Sequence, residues 1–175
     1  MNELFIKTAL PLVLKYEGGY VNNPDDKGGA TNKGITQRVY DSYRRNNKLE
    51  LQSVRYITNK EVEDIYYNEY WVAGKCNDLP NKLAIAHFDT CVNSGLKRGA
   101  KTLQRAAGVV DDGIIGNQTL ATVKRYSETI IMNKYLDERV RFLNLIVEKN
   151  PIQGKFLNGW LNRVKNLRKV LSEQI

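Results

Sequence analysis

Hydrophobic positions recur at helical spacing over most of the chain. In residues 2–16 they are Leu4, Phe5, Leu10, Leu12, Val13 and Leu14. Pro11 lacks a backbone donor, so this run kinks there or begins near it. Gly18 and Gly19 end it, because glycine readily takes the left-handed cap conformation. Thr36 can cap a helix running to about Asn46. Thr58 followed by Glu61 three residues later is a capping box, with a helix behind it to about Tyr70. Further helices are expected from Asp78–Pro80 to Gly95, over 97–107, 117–125 and 127–148, and, after the break at Asn150–Pro151, over 153–172. Residues 20–36 differ. They are rich in Asn, Asp and Gly, with extended pieces at Gly19–Val21 and Gly34–Thr36 that suit a small hairpin. The pattern predicts a mainly α protein with one small β element and no repeat of constant period.

Composition narrows this only a little. A chain of 175 residues suits one domain, or two small lobes sharing a core. A net charge of +8 favours polyanions, whether nucleic acid, anionic lipid or bacterial wall polymers, without choosing among them. The densest basic tract, Arg163 to Lys169, alternates with apolar residues and reads as a solvated helix face. Cys76 and Cys91 can make one disulfide, but free, partly buried thiols are the simpler expectation. With His87 the single histidine, no zinc pattern forms, and Asp111-Asp-Gly lacks the ligand spacing of a calcium loop. No metal and no cofactor are expected. The apolar N-terminal stretch is interrupted by Pro11 and lacks a cleavage site, so no signal peptide is read there. Nor does any stretch suit a membrane span, so stable membrane insertion is not expected.

The chemistry concentrates at Tyr16-Glu-Gly-Gly-Tyr20. Glu17 stands at the last turn of an apolar helix, between two tyrosines. The negative end of the helix dipole and burial against aromatic rings would both disfavour its charged form. A carboxyl group kept protonated near neutral pH is what glycoside cleavage requires, because the leaving oxygen must receive a proton. A second carboxylate is usual in such sites, and Asp25 and Asp26 follow in the loop. Thr31 can help to hold a water molecule. On spacing alone these residues also suit an ordinary helix end and an ordinary turn.

The stretch Glu17-Gly-Gly-Tyr-Val-Asn-Asn-Pro-Asp-Asp-Lys-Gly-Gly-Ala-Thr-Asn-Lys-Gly-Ile-Thr36 resembles the signature of glycoside hydrolase family 108. These are N-acetylmuramidases, some described as secretion activators or phage endolysins. The resemblance implies a lysozyme-like helical fold with the hairpin near the active site, and Glu17 as the catalytic acid. Phage-type lysozymes share a glutamate, aspartate, threonine order in which the aspartate lies nine positions after the glutamate, as Asp26 does here. Their threonine falls slightly further on than Thr31. Leu103 to Val123 resembles a peptidoglycan-binding helix–turn–helix unit, mostly through packing and turn residues. The expected organisation is a catalytic lobe at 1–95 and a helical peptidoglycan-binding-like lobe at 96–175, packed as one globule.

Other residues are candidates for the cleft. Tyr66, Tyr67, Tyr70 and Trp71 cluster in sequence, and Tyr70 and Trp71 can line sugar subsites or pack in the core. Tyr20 follows the catalytic turn and suits a subsite. Asn93 can bind an N-acetyl group or cap a helix beside Gly95. Asp89, in mid-helix, reads as structural, and His87 as packed or superficial. The resulting expectation is a muramidase cutting the β-1,4 bond between N-acetylmuramic acid and N-acetylglucosamine, with Glu17, Asp26 and Thr31 catalytic. The alternatives are a wall-binding or secretion-assisting protein without turnover, and a lytic transglycosylase. The partners expected are peptidoglycan glycan strands, not nucleic acid. A monomer is expected, delivered by a holin or a secretion machinery and acting at the cell wall.

Overall fold

The computed structural model describes residues 2–22 and 29–173. Helices dominate these residues, with a single two-stranded antiparallel sheet among them. Packing divides the chain into two compact units, Met1–Glu69 and Tyr70–Ile175, and each is described by itself.

The first unit opens with a π turn, Phe5–Ala9, leading into α1, Leu10–Leu14. Pro11 sits in the first turn of α1, where its missing donor costs least, and the Leu10 amide just before it reaches back five residues to the Phe5 carbonyl. The helix ends sooner than the apolar run suggests. Tyr16 and Glu17 donate to the carbonyls of Val13 and Leu14, at 2.9 and 3.3 Å, in a tightened last turn. Phe5, Leu10 and Val13 are buried, and the Phe5 ring meets that of Tyr67 edge-on at 5.1 Å.

Next comes the hairpin of β1, Thr31–Asn32, with β2, Ile35–Thr36, paired Thr31 to Thr36 and Asn32 to Ile35. Gly34–Thr36 is therefore extended as expected, but its partner is Thr31–Asn32 rather than Gly19–Val21. Val21 joins only through a bridge to Thr31. Thr36 caps α2, Gln37–Asn46, through the Val39 amide. The Thr58–Glu61 capping box forms and starts α3, Asn59–Tyr66. The helix continues to Val72 only by widening into a second π turn, Tyr67–Val72.

In the second unit, α4 (Asn81–Ser94), α5 (Leu96–Ala107) and α7 (Glu128–Lys149) pack on one another, and α8 (Gly154–Glu173) packs on α7. The short α6, Asn117–Val123, lies against α5. Gly99 permits the close approach of α5 to α4, since a Cβ there would stand 2.5 Å from Cys91 Sγ and 3.2 Å from His87 Cε1. Asp89 lies at the centre of the α4, α7 and α8 packing. Its carboxylate accepts from Arg139 at 2.6 Å and, through both oxygens, from Arg163 at 2.8–3.2 Å. All three side chains are buried.

His87 is wholly buried. Its Nε2 lies 3.0 Å from the Gly74 carbonyl, which can only accept, so the proton sits there and Nδ1 accepts from Tyr135 Oη at 3.1 Å. Cys76 and Cys91 are buried free thiols, and burial pushes Cys91 up to about 12. No helix among the described residues is long and apolar enough to cross a membrane.

Two outcomes are expected. Asp89→Asn leaves two buried guanidinium groups facing a neutral amide and should cost about 3–5 kcal/mol in denaturant unfolding. A cost below about 1 kcal/mol would show that the helices do not depend on this charge. Burial also lowers His87 from 6.5 to about 4. The unfolded chain then takes up its proton first as the pH falls. Stability contributed by the neutral imidazole is complete above the unfolded value. It is lost between about pH 6.5 and 4, a change of about 3 kcal/mol. As His87 is the only histidine, its ring resonance in NMR should keep the neutral position down to about pH 5. A midpoint near 6.5 would contradict the burial argument.

Candidate active site

Glu17 lies immediately beyond α1, half-buried. Backbone bonds stitch the segment after it to the hairpin. The Lys33 amide donates to the Gly18 carbonyl at 3.0 Å, and Val21 and Thr31 exchange bonds of 2.9 and 2.8 Å. The turn between the strands, Lys33–Gly34, has positive φ at both residues, +50° and +75°. That is the mirror-image turn whose twist matches a hairpin, and it favours glycine.

At Gly34 the constraint is spatial as well. A Cβ there would stand 2.7 Å from Glu17 Oε2 and would collide with Tyr66 Oη. Tyr66 is buried on α3 and donates its hydroxyl to the Lys33 carbonyl at 2.9 Å. The turn backbone and the phenol thus cover one side of the Glu17 carboxyl group.

Thr31 is half-buried on β1. Strand alternation puts its side chain on the face opposite Asn32, whose amide donates to the carbonyls of Val54 and Arg55 at 3.1 and 3.2 Å. Tyr20 is 39% exposed, with the Arg55 guanidinium 5.6 Å from its ring centre. Asp25 and Asp26 lie outside the described residues, as do all of residues 23–28.

A second carboxylate of this unit is unsuited to acid catalysis. Burial alone would raise Glu61. Hydrogen bonds from the Thr58 amide and hydroxyl and from Tyr40, with the charge of Arg44 at 2.6 Å, outweigh that and hold it below the usual carboxylate range. Glu61 is an ionised anchor between α2 and α3.

In the second unit, Tyr70 is half-buried. Trp71 is a correction to the sequence expectation. It is 0% exposed, meets Phe88 edge-on at 5.6 Å and donates its indole N–H to Asn77, so it is a core residue with no face for a sugar. Asn93 is exposed, and its oxygen accepts from Arg139 at 3.3 Å. Asp89 is structural, as expected of it. Sequence reasoning does not reach the roles of Gly34 and Tyr66. The two-residue Lys-Gly turn between extended pairs is the available signal for the first, and nothing local marks the second.

Residues 10–95 match the family described as Glycosyl hydrolase 108. A solved structure titled "Structure of Brucella abortus SagA" shares 34% identity, covers 93% of this chain and 91% of its own, and superposes with a TM-score of 0.74. The chain belongs to glycoside hydrolase family 108. Residues 98–165 of this family 108 protein also match a family described as "Predicted Peptidoglycan domain". No curated protein matches significantly. The family 108 fold is lysozyme-like and mainly α, and the protein is a glycoside hydrolase of the muramidase type acting on peptidoglycan.

Gly34→Ala should test the packing around Glu17. The left-handed backbone costs a non-glycine residue about 1–2 kcal/mol, so the variant should still fold. The added methyl must displace Glu17 or Tyr66, and activity on purified sacculi should fall at least tenfold. Full activity in a folded Gly34→Ala protein would show that the contact is dispensable.

Proposed function

We propose that the protein hydrolyses the β-1,4 bond between N-acetylmuramic acid and N-acetylglucosamine, with Glu17 as general acid. The observation that carries this reading is the seat of Glu17 at the end of α1, half-buried against Gly34 and Tyr66. In that seat the carboxyl group is partly withdrawn from water and has the Gly34 backbone close on one side. Family membership and the signature around Glu17 support the same role.

Asp26 is proposed as the base that orients and deprotonates water, and Thr31 as a hydroxyl that helps hold it. The spacing of Asp26 from Glu17 matches the order of phage-type lysozymes and favours inversion at the anomeric carbon. A carboxyl separation of roughly 6.5–9.5 Å would accompany that outcome. Tyr20, Tyr70 and Asn93 are proposed to contact the sugar strand. Residues 1–95 form the catalytic part in this reading, and 96–175 the wall-binding part.

The test is product analysis on purified sacculi. Wild-type protein should release muropeptides with reducing N-acetylmuramic acid ends. Glu17→Gln should lose about 10²–10⁴-fold in rate, the usual worth of a positioned general acid, while keeping the wild-type melting curve. Wild-type turnover in the variant would remove Glu17 from the mechanism. Anhydro-muropeptides in the mass spectrum would replace hydrolysis by transglycosylation.

A further inference from the structure

The second unit carries a depression of about 550 Å³, with Ala73, Leu96, Ala100 and Ile114 as apolar walls and Lys75 and Lys97 at its edge. The size falls in the range of about 300–1,000 Å³ typical of ligand pockets. Neither lysine has an ion-pair partner among the described residues. Lys101 follows Lys97 one turn later on α5, so the positive edge continues past the pocket.

The wall opposite α5 is held rigidly. Gln104, itself buried, donates to Asp112 Oδ1 at 2.7 Å and to the Ile114 carbonyl at 3.0 Å, and accepts from the Gly113 amide at 2.8 Å. Asp112 Oδ1 also accepts from the Ile114 amide at 2.8 Å. A loop tied down by four hydrogen bonds nevertheless leaves Ile114 72% exposed at the rim. On the other side Lys75 sits in the left-handed region at φ +59°. An ordered apolar hollow lined also by two lysines suits a small ligand with methyl groups and carboxylates. The Asp112 carboxylate in its lining adds a place for one ammonium group.

Peptidoglycan offers such a ligand. Its peptide stem is short, built largely of alanine, carries free carboxylates on its acidic residue and at its C-terminus, and has one diamino acid in the middle. We propose that this depression binds the peptide stem of peptidoglycan. The carboxylates meet Lys75 and Lys97, the alanine methyls lie on Leu96, Ala100 and Ile114, and the diamino acid faces Asp112. The inference rests on peptidoglycan being the substrate, and not on the role of Glu17.

The experiment uses the full-length Glu17→Gln protein, ¹⁵N-labelled, and the synthetic pentapeptide L-alanyl-γ-D-glutamyl-L-lysyl-D-alanyl-D-alanine, which contains no glycosidic bond. Titration should give saturable amide shifts confined to residues 73–75, 96–101 and 112–115. The dissociation constant should rise with salt, and should rise at least fivefold in a Lys75→Asn, Lys97→Glu double variant whose spectrum remains folded. Asparagine is chosen at position 75 because it tolerates the left-handed backbone. Lys97→Arg, which keeps the charge, should bind as the parent does. Absent shifts, shifts elsewhere, or an unaffected double variant would overturn the assignment. So would shifts of these residues with a peptide-free N-acetylglucosaminyl-N-acetylmuramic acid disaccharide and none with the peptide. If Glu17→Gln proved fully active on sacculi while the pentapeptide still bound here, the catalytic reading would fall and this one would stand.

Discussion

The backbone of the Lys33–Gly34 turn lies directly against the Glu17 carboxyl group and the Tyr66 hydroxyl, a contact that a single methyl group would break. Four local features meet there. The tightened end of α1 delivers Glu17, and the bridge from Val21 to Thr31 returns the chain to the hairpin. The Thr36 cap starts α2 where the hairpin ends, and α3 carries Tyr66 to the carbonyl of Lys33. Apolar burial of Phe5, Val13, Ile35 and Ile65 supplies cohesion to this unit. The turn decides where that cohesion leaves the Glu17 carboxyl group.

The second unit solves a different problem. Its helices are held by apolar packing and also by a buried charge cluster, in which one aspartate serves two arginines from separate helices. Such a cluster adds little net stability over well-packed apolar residues, but it punishes misalignment, because a slipped helix would bury an unpaired guanidinium group. The neutral, doubly hydrogen-bonded His87 acts in the same way, tying α4 to Tyr135 of α7 and to the Gly74 carbonyl. Polar groups here specify register, and the apolar surface around them supplies the free energy.

Much of this is legible in the chain because capping chemistry is local. Thr36 and the Thr58–Glu61 pair mark helix starts by their own side-chain bonds, and both are found. The ends of α4 to α8 follow from apolar spacing and from glycine or proline breaks. The illegible features depend on distance or on irregular winding. Asp89 finds its partners 50 and 74 residues away, so its sequence position suggests a structural character but not its geometry. The hairpin partner escapes sequence reasoning because Gly19–Val21 and Thr31–Asn32 are both very short, and alternation over two or three residues does not discriminate between them. Trp71 reads as a cleft residue because an aromatic cluster does not announce which ring faces inward. Glu17 stands out through its position at a helix end, yet its contact with Gly34 and Tyr66 emerges only when three segments fold together.

The widened turn at Tyr67–Val72 bears on how relatives of this protein differ in length. A π turn accommodates one residue more than the regular winding on either side of it. A relative lacking that residue would close the turn to an ordinary α-helix. The helical register of the segment would then shift by one residue, and the burial of Trp71 would need compensation. The ancestry of this segment should therefore show as a single-residue gap inside a helix, a place where insertions and deletions are otherwise seldom tolerated.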